Sequence, residues 1–145
     1  MRHTAFGLLF LAYVAVDGKA DIPVRADGHY WYFVRVIDGD TFQIRVPCLP
    51  PALSLISVRV RGVDTPERGT KARCMLEYHL AEEASGFAAR FLMPGPITLE
   101  NLRWDKYGGR IDADVWVAGQ SLGQALLKVR LAHIYDGGKK ADWCS

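Results

Sequence analysis

The 145-residue chain is long enough for one domain and no more. Half of its residues are hydrophobic and 23% are charged, and 18 basic residues against 16 acidic ones leave a net charge of +2. That composition excludes disorder and a uniformly basic nucleic-acid coat; with no apolar run of about 20 residues, no stable membrane association is expected either.

Arg2 and His3 precede an uncharged stretch from Ala5 to Val16, and Asp17-Gly18-Lys19-Ala20 ends it with small residues. A basic start, an apolar run too short to span a bilayer and a small-residue exit predict a signal peptide over residues 1–20. The competing reading is a buried N-terminal strand or helix. The signal-peptide reading leaves residues 21–145 as the folded domain, exported to the periplasm or the medium.

Tyr30 to Ile37 and Thr41 to Val46 are aromatic and β-branched, and Asp38-Gly39-Asp40 between them predicts a strand pair around a tight turn. Pro47, Pro50 and Pro51 make a loop. Leu55 to Val63 alternates Ile56, Val58 and Val60 with Ser57, Arg59 and Arg61, and Pro66 stops that strand. From about Ala72 to Leu92, Leu76, Leu80, Ala84, Phe87 and Phe91 recur at helical spacing until Pro94-Gly95-Pro96. Ile97 to Leu102 and Ile111 to Val117 are two further strands, a short helix covers Leu122 to about Arg130, and Asp136 to Lys140 reads as loop. Three strands, a helix, two strands and a helix predict a β-barrel with helices (α+β): a five-stranded Greek-key barrel of the OB type.

Cys48, Cys74 and Cys144 form no C-x-x-C pair, and His3, His29, His79 and His133 lack zinc-ligand spacing. In an oxidising compartment two of the three cysteines can pair. Cys74 with Cys144 is the favoured pair, because it ties the chain end back to the domain centre, and Cys48 is then left over.

Acids and arginines gather where strands end. Asp40 follows the first turn, Asp64 and Glu67 flank Thr65-Pro66, Arg59 precedes Asp64 by five residues, and Arg110 opens a strand. Carboxylates with a backbone carbonyl suit a hard divalent cation, two guanidinium forks suit a phosphate, and a further carboxylate can orient or deprotonate water. Each segment alone also has a structural explanation, as an ordinary turn or strand end.

Taken together, Val36-Ile37-Asp38-Gly39-Asp40-Thr41, the run from Val58 through Arg59 and Asp64-Thr65-Pro66 to Glu67, and Asp105-Lys106-Tyr107-Gly108-Gly109-Arg110 resemble the staphylococcal nuclease (thermonuclease) family. The likeness continues through Glu83-Ala84-Ser85 and from Ala125-Leu126 to Leu131-Ala132, so it covers roughly residues 30–135. The resemblance implies a calcium-dependent phosphodiesterase acting on DNA and RNA, with a monomer expected. It assigns Asp40 and Asp64 as carboxylate ligands of the ion and Thr65 as a main-chain carbonyl ligand. Glu67 matches the general base or water-positioning acid, and Arg59 and Arg110 match the phosphate-holding pair.

Three departures stand out: the doubled Gly108-Gly109, Arg130 where a glycine often stands, and an end at Ser145, ahead of the founding enzyme's long C-terminal helix. Tyr107 and Tyr135 are candidates to stack on nucleotide bases, or else pack on the barrel. The four tryptophans are read as packing residues, His133 as a surface or helix-end residue, and Lys139 and Lys140 as a solvated tail. Gly119-Gln120-Ser121-Leu122-Gly123 mimics a serine-hydrolase elbow, but Ser121 with Gln124 is an ordinary capping box. The alternative function is a non-catalytic OB-type module that binds nucleic acid or a protein, against which the retained acids and arginines argue.

Overall fold

The structure, a computed structural model, describes residues 21–145; the expected signal peptide lies outside the described residues. Nine strands and two α-helices follow one another: β1 (Pro23–Ala26), β2 (His29–Asp38), β3 (Thr41–Arg45), β4 (Leu55–Val60), β5 (Val63–Asp64), α1 (Met75–Leu92), β6 (Ile97–Trp104), β7 (Arg110–Val117), β8 (Gln120–Ser121), α2 (Leu122–Lys128) and β9 (His133–Ile134). The large sheet runs β4-β3-β2-β1-β6-β7-β8, and a parallel pairing of β4 with β7 closes it into a barrel.

The expected OB-type barrel with packed helices is therefore present, with six strands in the closed ring: β1, β2, β3, β4, β6 and β7. The additional strand is β1, which pairs antiparallel with β2 and parallel with β6. It is four residues long and opens on Pro23, so it offers little period to read. Its turn was not read from the sequence: Asp27 and Gly28 take φ of 45° and 77°, the left-handed conformations that a two-residue hairpin demands.

Alternation fills the barrel. Phe42 and Ile44 from β3, Val58 and Val60 from β4, Ile97 and Leu99 from β6, and Ala113 and Val115 from β7 are all buried in one core. Each such large aliphatic or aromatic side chain contributes about 1.5–3 kcal/mol by leaving water. The strand expected over residues 55–63 is interrupted: Gly62 takes φ of 78°, and Val63 and Asp64 leave the barrel to pair with β9.

Helix α1 starts at Cys74, whose side chain accepts from the Glu77 amide, so the cap lies a little after the expected start. Its inward face also differs from the expected stripe. Leu76 is exposed, and Ala81, Ala84, Ala88 and Leu92 are buried while Leu80, Phe87 and Phe91 pack at the margin. Small alanines let the helix lie close to the barrel: a Cβ on Gly39 would stand 2.7 Å from Ala84 Cβ. Ser121 caps α2 by accepting from the Gln124 amide at 3.2 Å, as the capping-box reading requires.

The Cys74–Cys144 disulfide is present, closing a separation of 70 residues, and Cys48 is exposed and unpaired. His133 departs from expectation: it is half-buried in β9 and stacks on the buried Trp143 with ring centroids 3.7 Å apart. The stack follows from the disulfide, which returns the tail across the domain. Among the described residues, no helix is long and apolar enough to cross a membrane.

Candidate active site

The topology sets adjacent strands side by side at one end of the barrel. In the β3–β4 ladder Thr41 faces Arg59, and in the β4–β7 ladder Ser57 and Arg59 face Arg110 and Asp112. Asp40 therefore enters the site at the start of β3, Arg59 near the end of β4 and Arg110 at the start of β7. Asp64 arrives on β5, where it pairs with His133.

Asp40, Asp64 and Thr65 are buried polar groups held by one another. Asp38 Oδ1 accepts from the Asp40 amide at 3.2 Å, which makes the turn, and Asp40 Oδ2 accepts from the Thr65 amide at 2.9 Å. The Thr41 hydroxyl donates to Asp40 Oδ1 at 3.0 Å. One terminal nitrogen of Arg59 lies 3.6 Å from both Asp40 Oδ2 and Asp64 Oδ1. Its other terminal nitrogen donates to the Val63 carbonyl at 3.2 Å, so the guanidinium is oriented before any substrate arrives.

Burial raises the Asp64 carboxyl above the ordinary aspartate range, against the opposing pull of Lys140. Burial and the adjacent Asp40 charge push Asp38 up to about 7. In both cases burial is the largest cause, because it penalises the charged form.

The Asp40 and Asp64 carboxylates with the Thr65 carbonyl could offer an ion a hard, all-oxygen donor set. Asp64 Oδ1 is buried and accepts no well-aligned hydrogen bond; its close neighbours are the cationic groups of Lys140 at 3.0 Å and Arg59 at 3.6 Å, so the position is one that positive charge already occupies. Such a set suits a calcium-type ion far better than zinc. Among the described residues no three histidine, cysteine or acidic side chains group around a common metal position, so backbone and water oxygens would complete the shell.

Arg110 stands apart from the acids. Its Nε donates to Asp105 Oδ2 at 2.8 Å, and its Nη2 contacts the same oxygen. The doubled glycine before it is explained by the turn, since Gly108 and Gly109 both adopt left-handed φ, of 71° and 65°. Arg59, Arg110, Tyr107, Tyr135 and Lys140 line one cleft of about 530 Å³. Tyr107 is 75% exposed, with the Arg110 guanidinium 5.8 Å from its ring; Tyr135 is half-buried, with Arg59 5.4 Å from its ring. Glu67 lines a neighbouring depression instead, with Asp38, Arg68 and Glu82.

Lys140 is exposed in a loop, as expected for the tail, but it also lines the cleft and reaches Glu67 in the neighbouring depression. Its ammonium lies 2.8 Å from Glu67 Oε1 and 3.0 Å from Asp64 Oδ1. Burial opposes its charge, but Glu67 and Asp64 outweigh it and hold the group protonated well above the ordinary lysine range. The sequence carried a signal for this: Lys140 lies four residues before Cys144, and a bridge to Cys74 brings it to the start of α1, seven residues beyond Glu67.

Glu77 was also overlooked, because its place on a helix reads as a solvent face. It is buried at 1% exposure, and its carboxylate accepts from the Glu67 amide at 3.2 Å and the Arg73 amide at 2.8 Å. That pairing anchors the loop that carries Glu67.

A sequence profile described as "Staphylococcal nuclease homologue" matches residues 57–142, more than half of the chain. Two curated proteins of Bacillus subtilis (strain 168) are also similar. "SPbeta prophage-derived endonuclease YokF" is 33% identical over 112 residues, 73% of this chain and 35% of that protein. "Endonuclease YncB" is 35% identical over 112 residues, 73% of this chain and 49% of that protein. The chain thus spans half or less of the length of these relatives.

Proposed function

This chain belongs to the staphylococcal nuclease family, and from that premise we propose that it is a calcium-dependent endonuclease that hydrolyses the phosphodiester bonds of DNA and RNA. Water attacks phosphorus, the 5′ oxygen leaves, and the products end in 3′-phosphates. The observation that supports the reading is the meeting of Asp40, Asp64, Thr65 and Arg59 at one barrel end, with Lys140 linking Asp64 to Glu67 and with Arg110 opening the strand beside β4.

Negative charge grows on the equatorial oxygens as phosphorus becomes five-coordinate. Arg59 and Arg110 line one cleft and each offers a planar fork to those oxygens. Arg59 is already oriented by its carboxylate and carbonyl partners, so little is lost in ordering it during reaction. Glu67 takes the proton of the attacking water or fixes the water's direction, on a loop steadied by Glu77. Asp40, Asp64 and the Thr65 carbonyl would hold the calcium ion, which supplies further positive charge against the phosphate. Tyr107, by its exposure, is available to a base beside the scissile bond.

We place the protein outside the cytoplasm, acting as a monomer; the Cys74–Cys144 bridge supports an oxidising compartment. The test is digestion of single-stranded DNA and RNA by the purified protein, with calcium and with chelator. Cleavage should vanish on chelation. Glu67→Gln and Arg110→Ala should each slow turnover by about 100-fold or more while leaving the circular dichroism spectrum intact. Wild-type turnover by both variants would remove them from the reaction.

A further inference from the structure

The tail after β9 is fastened at several points around Lys140. The Tyr135 amide donates to the Gly62 carbonyl at 2.9 Å. Beyond Lys140, Asp142 meets Arg73 at 3.3 Å, Trp143 is buried on His133, and Cys144 is bonded to Cys74. A lysine in a free tail keeps its rotamer freedom, whereas this one is brought to a fixed place between two carboxylates. Its close contacts are charge-assisted ones: Glu67 Oε1 at 2.8 Å, and at 3.0 Å the Asp64 Oδ1 that otherwise lacks an aligned partner.

We propose that Lys140 is an internal counter-cation of the site, whose ammonium occupies Asp64 and Glu67 in the metal-free protein and must be displaced by the divalent ion that takes Asp64. The inference rests on the calcium reading given above. A second cation at the buried Asp64 Oδ1 meets the ammonium at short range, where the two like charges repel. The long flexible stem and the exposure of the side chain let the ammonium withdraw into solvent. The disulfide-tied tail thereby sets how much calcium the site requires.

Titration calorimetry with calcium chloride tests this on the wild type, Lys140→Gln and Lys139→Gln. Lys140→Gln should bind calcium about tenfold more tightly, as expected when a nearby like charge is removed, and Lys139→Gln should match the wild type. Equal or weaker binding by Lys140→Gln, with normal wild-type binding, overturns the counter-cation role alone. Absence of calcium binding in all three proteins overturns the calcium reading beneath it. A second measurement needs no variant: brief acetylation of the wild type, read by peptide mass spectrometry. Lys140 should be shielded without calcium and should gain reactivity along the calcium-binding curve, while Lys139 stays constant. Lys140 reactivity that ignores calcium overturns the proposal.

Discussion

In the free protein the Arg110 guanidinium is held by Asp105, and the Tyr107 amide donates to the same carboxylate at 2.8 Å. Burial works against ionisation of Asp105, yet the Tyr107 amide and Arg110 overcome it and hold the carboxyl below the ordinary aspartate range. Because the folded value lies below the unfolded one, this pairing stabilises the fold above about pH 4 and is lost as the pH falls through the depressed value. Carboxyl-selective NMR should therefore find Asp105 titrating below a free aspartate, and Arg110→Ala should move it upward; an unmoved midpoint would dissociate the pair. Arg110 was legible in its sequence segment, but Asp105 was not singled out, since a bond across five residues depends on how the turn closes. Gly39 has a similar history. It reads as a turn glycine, yet its φ is not among the left-handed ones; Thr65 Cγ2 and Ala84 Cβ leave no room for a side chain.

Helix α2 ends in a motif that assigns a clear conformation to Arg130. The Leu131 amide donates to the Leu126 carbonyl at 2.9 Å and the Arg130 amide to Leu127 at 3.1 Å, a Schellman pair, with Arg130 at φ of 61°. That left-handed position favours glycine, and the Arg130 side chain is exposed. Arg130→Gly should accordingly stabilise the protein by about 1 kcal/mol in urea unfolding; a loss of stability would mean that the side chain contributes packing not evident in its exposure. The departure at this position thus resolves as strain at a helix exit. Most other elements were legible, because alternation and helical spacing persist for five residues or more. Strands β5, β8 and β9 have two residues each, too few for any period, and exist because tertiary neighbours supply their partners.

Across the whole molecule, the disulfide joins the start of α1 to the chain end and fixes the tail against β5 through His133 and Trp143. Closing so long a loop is worth on the order of 4 kcal/mol in the chain-entropy account. Cys144→Ser should lower the calorimetric midpoint by on the order of 10 °C. An unchanged midpoint would mean that the tail is held without the bond. The substitution at Cys144 is the informative one, because Cys74 also caps α1.

The order of acids and arginines along the chain determined the family, the barrel class and the residues to watch, because strand-end motifs are local and survive as sequence. Folding alone decided that Glu77 turns inward to hold the Glu67 loop and that Asp105 holds Arg110; the expected bridge pointed Lys140 towards the start of α1, and folding decided that it rests on Asp64 and Glu67. For Lys140 the physical reason is separation: it lies 73 residues from Glu67 in the chain. No local propensity acts over that span, so their meeting depends on the barrel, the β5–β9 pairing and the covalent tie acting together.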